Sequence, residues 1–299
     1  MIIIRVMGGL GNQMQQYALY EKYRSMGKDV CLDTSWFEEN YQQESVLTKR
    51  KLELKWFENL QFETCSEQER KALLGGDSFI DKVMRKLKPS SNKRFIESKM
   101  YHPEILTMDN RYLEGYWACE KYYHDIMPQL QDKIRFPNSK NILNNQLKNK
   151  MKSENSVSIH IRRGDYLNPE NAAMFGGICT DQYYTAAESY IRAHVENPHF
   201  YLFSDDSDYL KEHYRGDDYT IVDWNTGDDS FYDMELMSCC RHNICANSTF
   251  SFWGARLNRT ADKIVIRPAK HKNSQIIEPE VMHDLWQDWV LIDGDGSVI

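Results

Sequence analysis

Near the middle of the chain, Ser158-Ile159-His160-Ile161-Arg162-Arg163-Gly164-Asp165-Tyr166 places two arginines, a glycine and a carboxylate directly after an apolar run. Val157 to Ile161 alternates small or apolar with polar residues and reads as a strand. Gly164 breaks it and leaves Arg162 and Arg163 at the strand's C-terminal edge, where open α/β sheets bind their ligands. Two fixed positive charges there call for a polyanion, and a nucleotide diphosphate is the commonest small one. Adjacent strand residues point to opposite faces, so one arginine is expected on the ligand and the other in the loop. His160 shares a face with Arg162 by the same alternation.

Three further constellations carry polar chemistry. Gly8-Gly9-Leu10-Gly11-Asn12-Gln13 lies between a strand and a helix, and exposes helix N-terminal N–H groups to an anion or a sugar. Its glycine spacing is not that of the dinucleotide fingerprint. Phe203-Ser204-Asp205-Asp206-Ser207-Asp208 ends a second strand; a carboxylate there accepts from a guanine or from ribose hydroxyls, or caps the next helix. Asn247-Ser248-Thr249-Phe250-Ser251 ends a third strand and opens a helix, with hydroxyls and free N–H groups suited to a phosphate. Each has a plain structural reading as a turn or a cap. Cys239, Cys240, His242 and Cys245 stand close together but match no zinc spacing.

These motifs need a scaffold, and the pattern of elements supplies one. Ile2–Val6, a helix from Asn12 to Ser25, and Asp29–Asp33 form one βαβ unit. The stretch from Trp36 to Pro103 is irregular, with short helices at 67–74 and 81–87, and suits a specificity lobe. Tyr112–Trp117 reads as a strand and the segment from Glu120 towards Ile134 as a helix. Asn138 to Asn155 is polar, with a helix around 142–151, and the domain boundary is placed at its end, giving domains 1–153 and 154–299. Beyond it, strands at 157–161, 200–203, 220–223, 243–246 and 263–266 alternate with helices at 181–195, 207–214, 230–240 and 249–258. That alternation predicts a parallel, Rossmann-like sheet. The extreme C-terminus is expected to pack back on the N-terminal domain.

The chain has 299 residues, long enough for two domains, and a formal net charge of −7, which argues against a nucleic-acid surface. No apolar run approaches the ~20 residues of a spanning helix. Seven scattered cysteines form no disulfide framework and point to a reducing cytoplasm. The sequons at Asn247 and Asn258 carry weight only in a secreted protein.

Taken in order, these segments resemble the α-1,2-fucosyltransferases of glycosyltransferase family 11. The match is carried by Gly9-Leu10-Gly11-Asn12-Gln13, Gly115-Tyr116-Trp117, His160 to Tyr166, Phe203-Ser204-Asp205-Asp206, Asp233 to Met237, Arg241-His242-Asn243-Ile244 and Asn247 to Ser251. Two departures stand out: the family usually has Phe where this chain has Gln15, and Trp-Trp where it has Phe252-Trp253. The resemblance implies an α/β GT-B fold with two Rossmann-like domains facing a central cleft. It implies inverting transfer from GDP-fucose to the 2-hydroxyl of a galactoside-terminated oligosaccharide or glycolipid, with no cofactor and no obligatory metal. It places Arg162 on the donor's β-phosphate, Asp205 on the guanine, and Ser248, Thr249 and Phe250 around the phosphates. Gly11 and Asn12 would close over the donor from the other domain. His160 and Asp165 are the two candidates for the acceptor base. A cytoplasmic enzyme, with room for peripheral contact at the inner membrane face, is the expected setting. The alternatives are a fucosyltransferase of α-1,6 or α-1,3 linkage and a non-catalytic GDP-sugar-binding module.

Overall fold

A computed structural model of the chain describes residues 1–42, 50–75 and 93–299. Two compact units divide between Arg135 and Phe136. Each is built on a parallel sheet, so the chain has the tandem α/β composition of the GT-B class.

In the first unit, β1 (Ile2–Arg5), β2 (Val30–Asp33), β3 (Arg94–Ile96) and β4 (Arg111–Glu114) lie in the order β2-β1-β4-β3. Ile2, Ile3 and Ile4 are fully buried, as expected of a central parallel strand covered on both faces. After β1 the chain turns through Gly8, whose φ of +81° favours glycine, into α1 (Leu10–Ser25). A Cβ on Gly8 would also lie 2.6 Å from the Asn12 amide nitrogen. The helices α2 (Ser35–Gln42), α3 (Glu67–Leu74) and α4 (Met127–Lys133) also belong to this unit.

In the second unit, six strands lie in the order β10-β9-β8-β5-β6-β7. They are β5 (Ser156–Ile161), β6 (His199–Ser204), β7 (Tyr219–Val222), β8 (His242–Ile244), β9 (Val265–Pro268) and β10 (Trp289–Ile292). The helices are α5 (Ile142–Ser153), α6 (Pro169–Phe175), α7 (Asp181–His194), α8 (Ser207–His213), α9 (Phe231–Cys239), α10 (Thr249–Leu257) and α11 (Pro279–Leu285). Strand alternation sorts the core into two layers. Val157, Ile159, Ile161, Phe200 and Leu202 pack with Tyr183, Tyr184, Ala187 and Ile191 of α7. Tyr201, Phe203 and Val222 face the other way, onto Leu147 and Met151 of α5 and Leu236 and Met237 of α9.

Four expectations need correction. The boundary lies at residue 135 rather than 153, because α5 belongs to the second unit: Asn144 hydrogen-bonds Asn225, and Lys148 pairs with Glu235. The C-terminus stays with the second sheet, where β10 pairs with β9 and the Ile299 N–H donates to the Leu291 carbonyl. The expected helix from Glu120 divides into two 3-10 turns followed by α4, since Pro128 is tolerated only in a helix's first turn. Strands β3 and β10 are additional to those expected; β3 falls inside the region read as irregular. The helix expected at 81–87 lies outside the described residues. Both sequon asparagines, Asn247 and Asn258, are buried and engaged in internal hydrogen bonds.

Gln15 is fully buried in α1, and neither amide atom has a hydrogen-bond partner among the described residues. A buried amide without partners costs about 1–3 kcal/mol. Replacing Gln15 by the near-isosteric Met is therefore expected to stabilise the chain by about 1 kcal/mol or more. Urea unfolding measures this, and a lowered midpoint would show that the amide is satisfied.

Candidate active site at the carboxyl edge of the second sheet

The loops leaving β5, β6 and β8 converge at one edge of the second sheet. Directly after β5, Arg162 Nη1 lies 2.7 Å from Asp205 Oδ2. The other oxygen, Oδ1, accepts from the backbone N–H groups of Arg163 and Gly164, both at 3.0 Å. One carboxylate after β6 thus holds both the backbone and the guanidinium of the loop after β5. Gly164 is required by this approach: a Cβ there would lie 2.3 Å from Asp205 Oδ2. Asp205, which the resemblance assigned to a guanine, therefore acts first on the arginine loop.

Arg163 takes the separate course anticipated for it. Its Nε lies 3.0 Å from Asp206 Oδ2, and its guanidinium stacks 3.8 Å from the centre of the Tyr209 ring. Asp206 in turn caps α8, its Oδ1 accepting from the Tyr209 N–H at 3.1 Å. Asp206 is thereby committed to a cap and an ion pair, as the plain reading of an acidic pair before a helix predicts.

Beyond β8, Asn247 is buried and ties together segments far apart in sequence. Its amide nitrogen donates to the carbonyls of Phe175 and His271, and its own carbonyl accepts from the Tyr166 hydroxyl at 3.0 Å. Ser248 caps α10, accepting from the Phe250 N–H at 3.4 Å. Ser248, Thr249 and Phe250 are all partly exposed. The Phe250 ring lies 5.8 Å from that of His160, and the Arg162 guanidinium 5.8 Å from the Tyr166 ring. The edge therefore gathers His160, Arg162, Asp205 and Phe250, with the N-terminus of α10 on the strand beside β5. Phe175 and His271 escaped the sequence reading, and Tyr166 was read there only as part of the arginine motif. Only the Asn247 motif hinted at them, because their pairing runs through backbone carbonyls that leave no residue-type signal.

The first unit holds the remaining expected residues. Gly11 and Asn12 occupy the first turn of α1, with the Asn12 N–H donating to the Gly9 carbonyl at 2.9 Å. The neighbouring Gln13 braces the turn: its amide nitrogen donates to the carbonyls of Gly8 and Lys51, and its oxygen accepts from the Glu53 N–H. The Asp165 side chain lies outside the described residues.

Burial sets the electrostatics of this edge. His160 is 5% exposed, and desolvation, reinforced by Arg162, lowers its pKa to about 3. Its Nδ1 is buried with no partner among the described residues. Burial likewise lowers His271 to about 4, with Arg267 adding to the effect. Both rings are neutral near pH 7, and His160 is a weak proton acceptor. On α9, burial raises Asp233 to about 7, against the opposing hydrogen bond from Asn225. Among the described residues, no group of three or more His, Cys, Asp or Glu is arranged to hold a metal ion, and no helix is long and apolar enough to cross a membrane.

The family model described as glycosyl transferase family 11 matches residues 92–293, more than half of the chain and including the whole arginine edge. The chain belongs to glycosyltransferase family 11. This glycosyltransferase is 32% identical over 277 residues to an alpha-1,2-colitosyltransferase of Escherichia coli, covering 89% of this chain and 91% of that one. It is 32% identical over 287 residues to the O-antigen biosynthesis glycosyltransferase WbnK of Escherichia coli, covering 88% and 92%. Galactoside alpha-(1,2)-fucosyltransferase 1 of Ateles belzebuth is 28% identical over 146 residues, covering 47% and 39%.

The buried histidines make the stability of this glycosyltransferase pH-dependent. Folding lowers the pKa of His160 and His271 below the ~6.5 of an unfolded histidine. Their contribution is fully present above pH ~6.5 and is lost as pH falls towards the folded values, by up to about 1.4 kcal/mol per pH unit for each group. Asp233, raised above the ~3.9 of an unfolded aspartate, has the opposite sign, its contribution being lost as pH rises towards 7. His160 and His271 therefore act to lower the melting temperature from pH 6.5 to 4.5. They act in the same sense as His199 and His242, which burial also lowers, and against Asp233, Glu188 and Glu235, which burial raises. His271→Asn should flatten that slope in a thermal-melt series, whereas an unchanged slope would remove His271 as a contributor.

Proposed function

We propose that this glycosyltransferase moves L-fucose from GDP-fucose to the 2-hydroxyl of a terminal β-galactoside, with inversion at the anomeric carbon. The observation that carries the reading is the Arg162–Asp205 pair at the carboxyl edge of the second sheet, beside the capped N-terminus of α10. A guanidinium held in place by a carboxylate, next to helix N–H groups, is preorganised for a diphosphate leaving group. The α-1,2 linkage is supported by the names of the colitosyltransferase and of the galactoside alpha-(1,2)-fucosyltransferase, and the latter also names a galactoside and fucose. In this reading the second unit binds the donor and the first unit the acceptor.

As the bond from the fucose C1 to the β-phosphate oxygen breaks, negative charge grows on GDP. Arg162 and the N-terminus of α10 meet that charge without an obligatory metal. The acceptor O2 forms the new bond to C1 from the opposite face and loses its proton to a base. Burial makes His160 a poor base, so Asp165 is assigned this role and His160 is assigned to the donor site beside Phe250.

A second reading concerns the donor sugar. The colitosyltransferase relative spans 89% of this chain, and colitose differs from fucose by the loss of one hydroxyl, so GDP-colitose is the alternative donor. GDP release measured with each donor against a panel of galactosides, with and without EDTA, decides between them. Turnover with GDP-fucose that survives EDTA is expected; activity confined to GDP-colitose replaces the donor, and loss in EDTA overturns metal independence. Arg162→Ala is expected to lower kcat by on the order of 10²-fold or more in a folded protein. Asp165→Asn should cost on the order of 10²-fold in kcat, more than His160→Ala, and an active Asp165→Asn variant would remove Asp165 as the base.

A further inference from the structure

The first unit carries a second set of strand-end residues, of different character from the arginine edge. Asp33, Arg5 and Glu114 are the last residues of the neighbouring strands β2, β1 and β4. Beside them, α2 and α3 enclose a cavity of about 400 Å³ whose lining includes Arg5, Glu39, Arg70, Arg94, Tyr112 and Glu114. That volume lies within the ~300–1,000 Å³ of small-ligand sites, and the carboxyl edge of a parallel sheet is where such sites occur.

The charges around it cancel. Arg5 bridges Glu39 at 2.8 Å and Glu114 at 3.3 Å, and Arg94 Nε donates to Glu114 at 2.8 Å. Arg70 lies 3.4 Å from Glu39 and 4.0 Å from the buried Asp33, which also accepts from the Tyr112 hydroxyl at 2.6 Å. Lys71, on the same wall, pairs with Glu67. Among the described residues, the four basic side chains of the lining, Arg5, Arg70, Lys71 and Arg94, are thus matched by Glu39 and Glu114 within it and by Asp33 and Glu67 behind it, which offsets the positive charge that a phosphate or a carboxylate would need. What remains is a wall of fixed donors and acceptors in alternation, with carbon surface from Leu74 and Tyr112. Guanidinium donors and carboxylate acceptors together match the vicinal hydroxyls of a sugar, each of which both donates and accepts.

We propose that this cavity binds a neutral hexose of the acceptor glycan, so that Arg94 and Glu39 are specificity-determining residues. Their assignment to an acceptor rests on the glycosyl-transfer reading above; saccharide binding by the cavity does not. Both side chains are more than two-fifths exposed, at 42% and 45%, so they can be replaced without opening the core.

The test is ligand-observed NMR of lactose, with methyl β-galactoside as a second probe, on wild-type protein and on Arg94→Gln and Glu39→Gln. GDP serves as a control ligand and methyl glucuronide as a charged one. Lactose or the galactoside is expected to bind wild type, to bind each variant at least about tenfold more weakly, and to bind better than the glucuronide. GDP binding should not change in either variant, and Arg162→Ala should leave lactose binding intact. In turnover, the variants should raise KM for lactose with kcat nearly unchanged. Failure of both neutral saccharides to bind wild type, undiminished binding to both folded variants, or preference for the glucuronide would each overturn the proposal. Lactose binding without GDP binding would sink the donor reading and leave this site standing.

Discussion

The Asp205 carboxylate is the contact on which the arginine edge depends. It stands at the end of one strand and grips the loop leaving its neighbour, through one guanidinium and two backbone N–H groups. Charge-assisted bonds of this kind are short and directional. They fix the backbone at Gly164 and the direction of Arg162 together. Neither could move without the other, and the absence of a side chain at Gly164 is what permits the approach. The same loop is held on its far side by Arg163, through the cap of α8 and the Tyr209 ring.

Much of the second unit was legible in the sequence, because buried parallel strands and amphipathic helices have distinct periods. The helices at 181–194, 207–213, 231–239 and 249–257 lie within a residue or so of their expected bounds, and those at 207 and 249 begin at the capping residues Asp206 and Ser248. Arg162 and Asp205 were each legible at a strand end, though not as partners, and the split between Arg162 and Arg163 followed from strand alternation. Other features left no such trace. Strand β3 is three residues of mixed exposure, too short to show a period. The true division at residue 135 is hidden because α5 looks like a polar linker; only Leu147, Met151 and the Asn144–Asn225 contact reveal its core face. The Asn247 hub works through backbone carbonyls, which residue types cannot display.

Where the chain departs from its family's usual pattern, the departure has physical content. A phenylalanine at position 15 would bring no polar atom into this fully buried position. Glutamine brings two polar atoms into the same buried space, where the described residues offer them no partner. Its neighbours Gln13 and Gln16 show the contrast, since each holds backbone groups at both ends of its amide. Three glutamines within four positions thus have two different energetic standings, which composition alone does not separate.

The strand order of the two sheets carries a consequence for synthesis on the ribosome, which delivers the chain from its N-terminus. In the second sheet β5 emerges first and sits inside; β6 and β7 extend one flank, then β8, β9 and β10 extend the other. Every newly delivered strand meets an open edge, and none must be threaded between two already paired. In the first sheet β3 emerges before β4, yet among the described residues it pairs only with β4, so it must wait for that strand before it has a neighbour among them. A nascent chain can therefore lay down its arginine edge outward from a ready template, whereas the earlier unit closes only after residue 114 has been delivered.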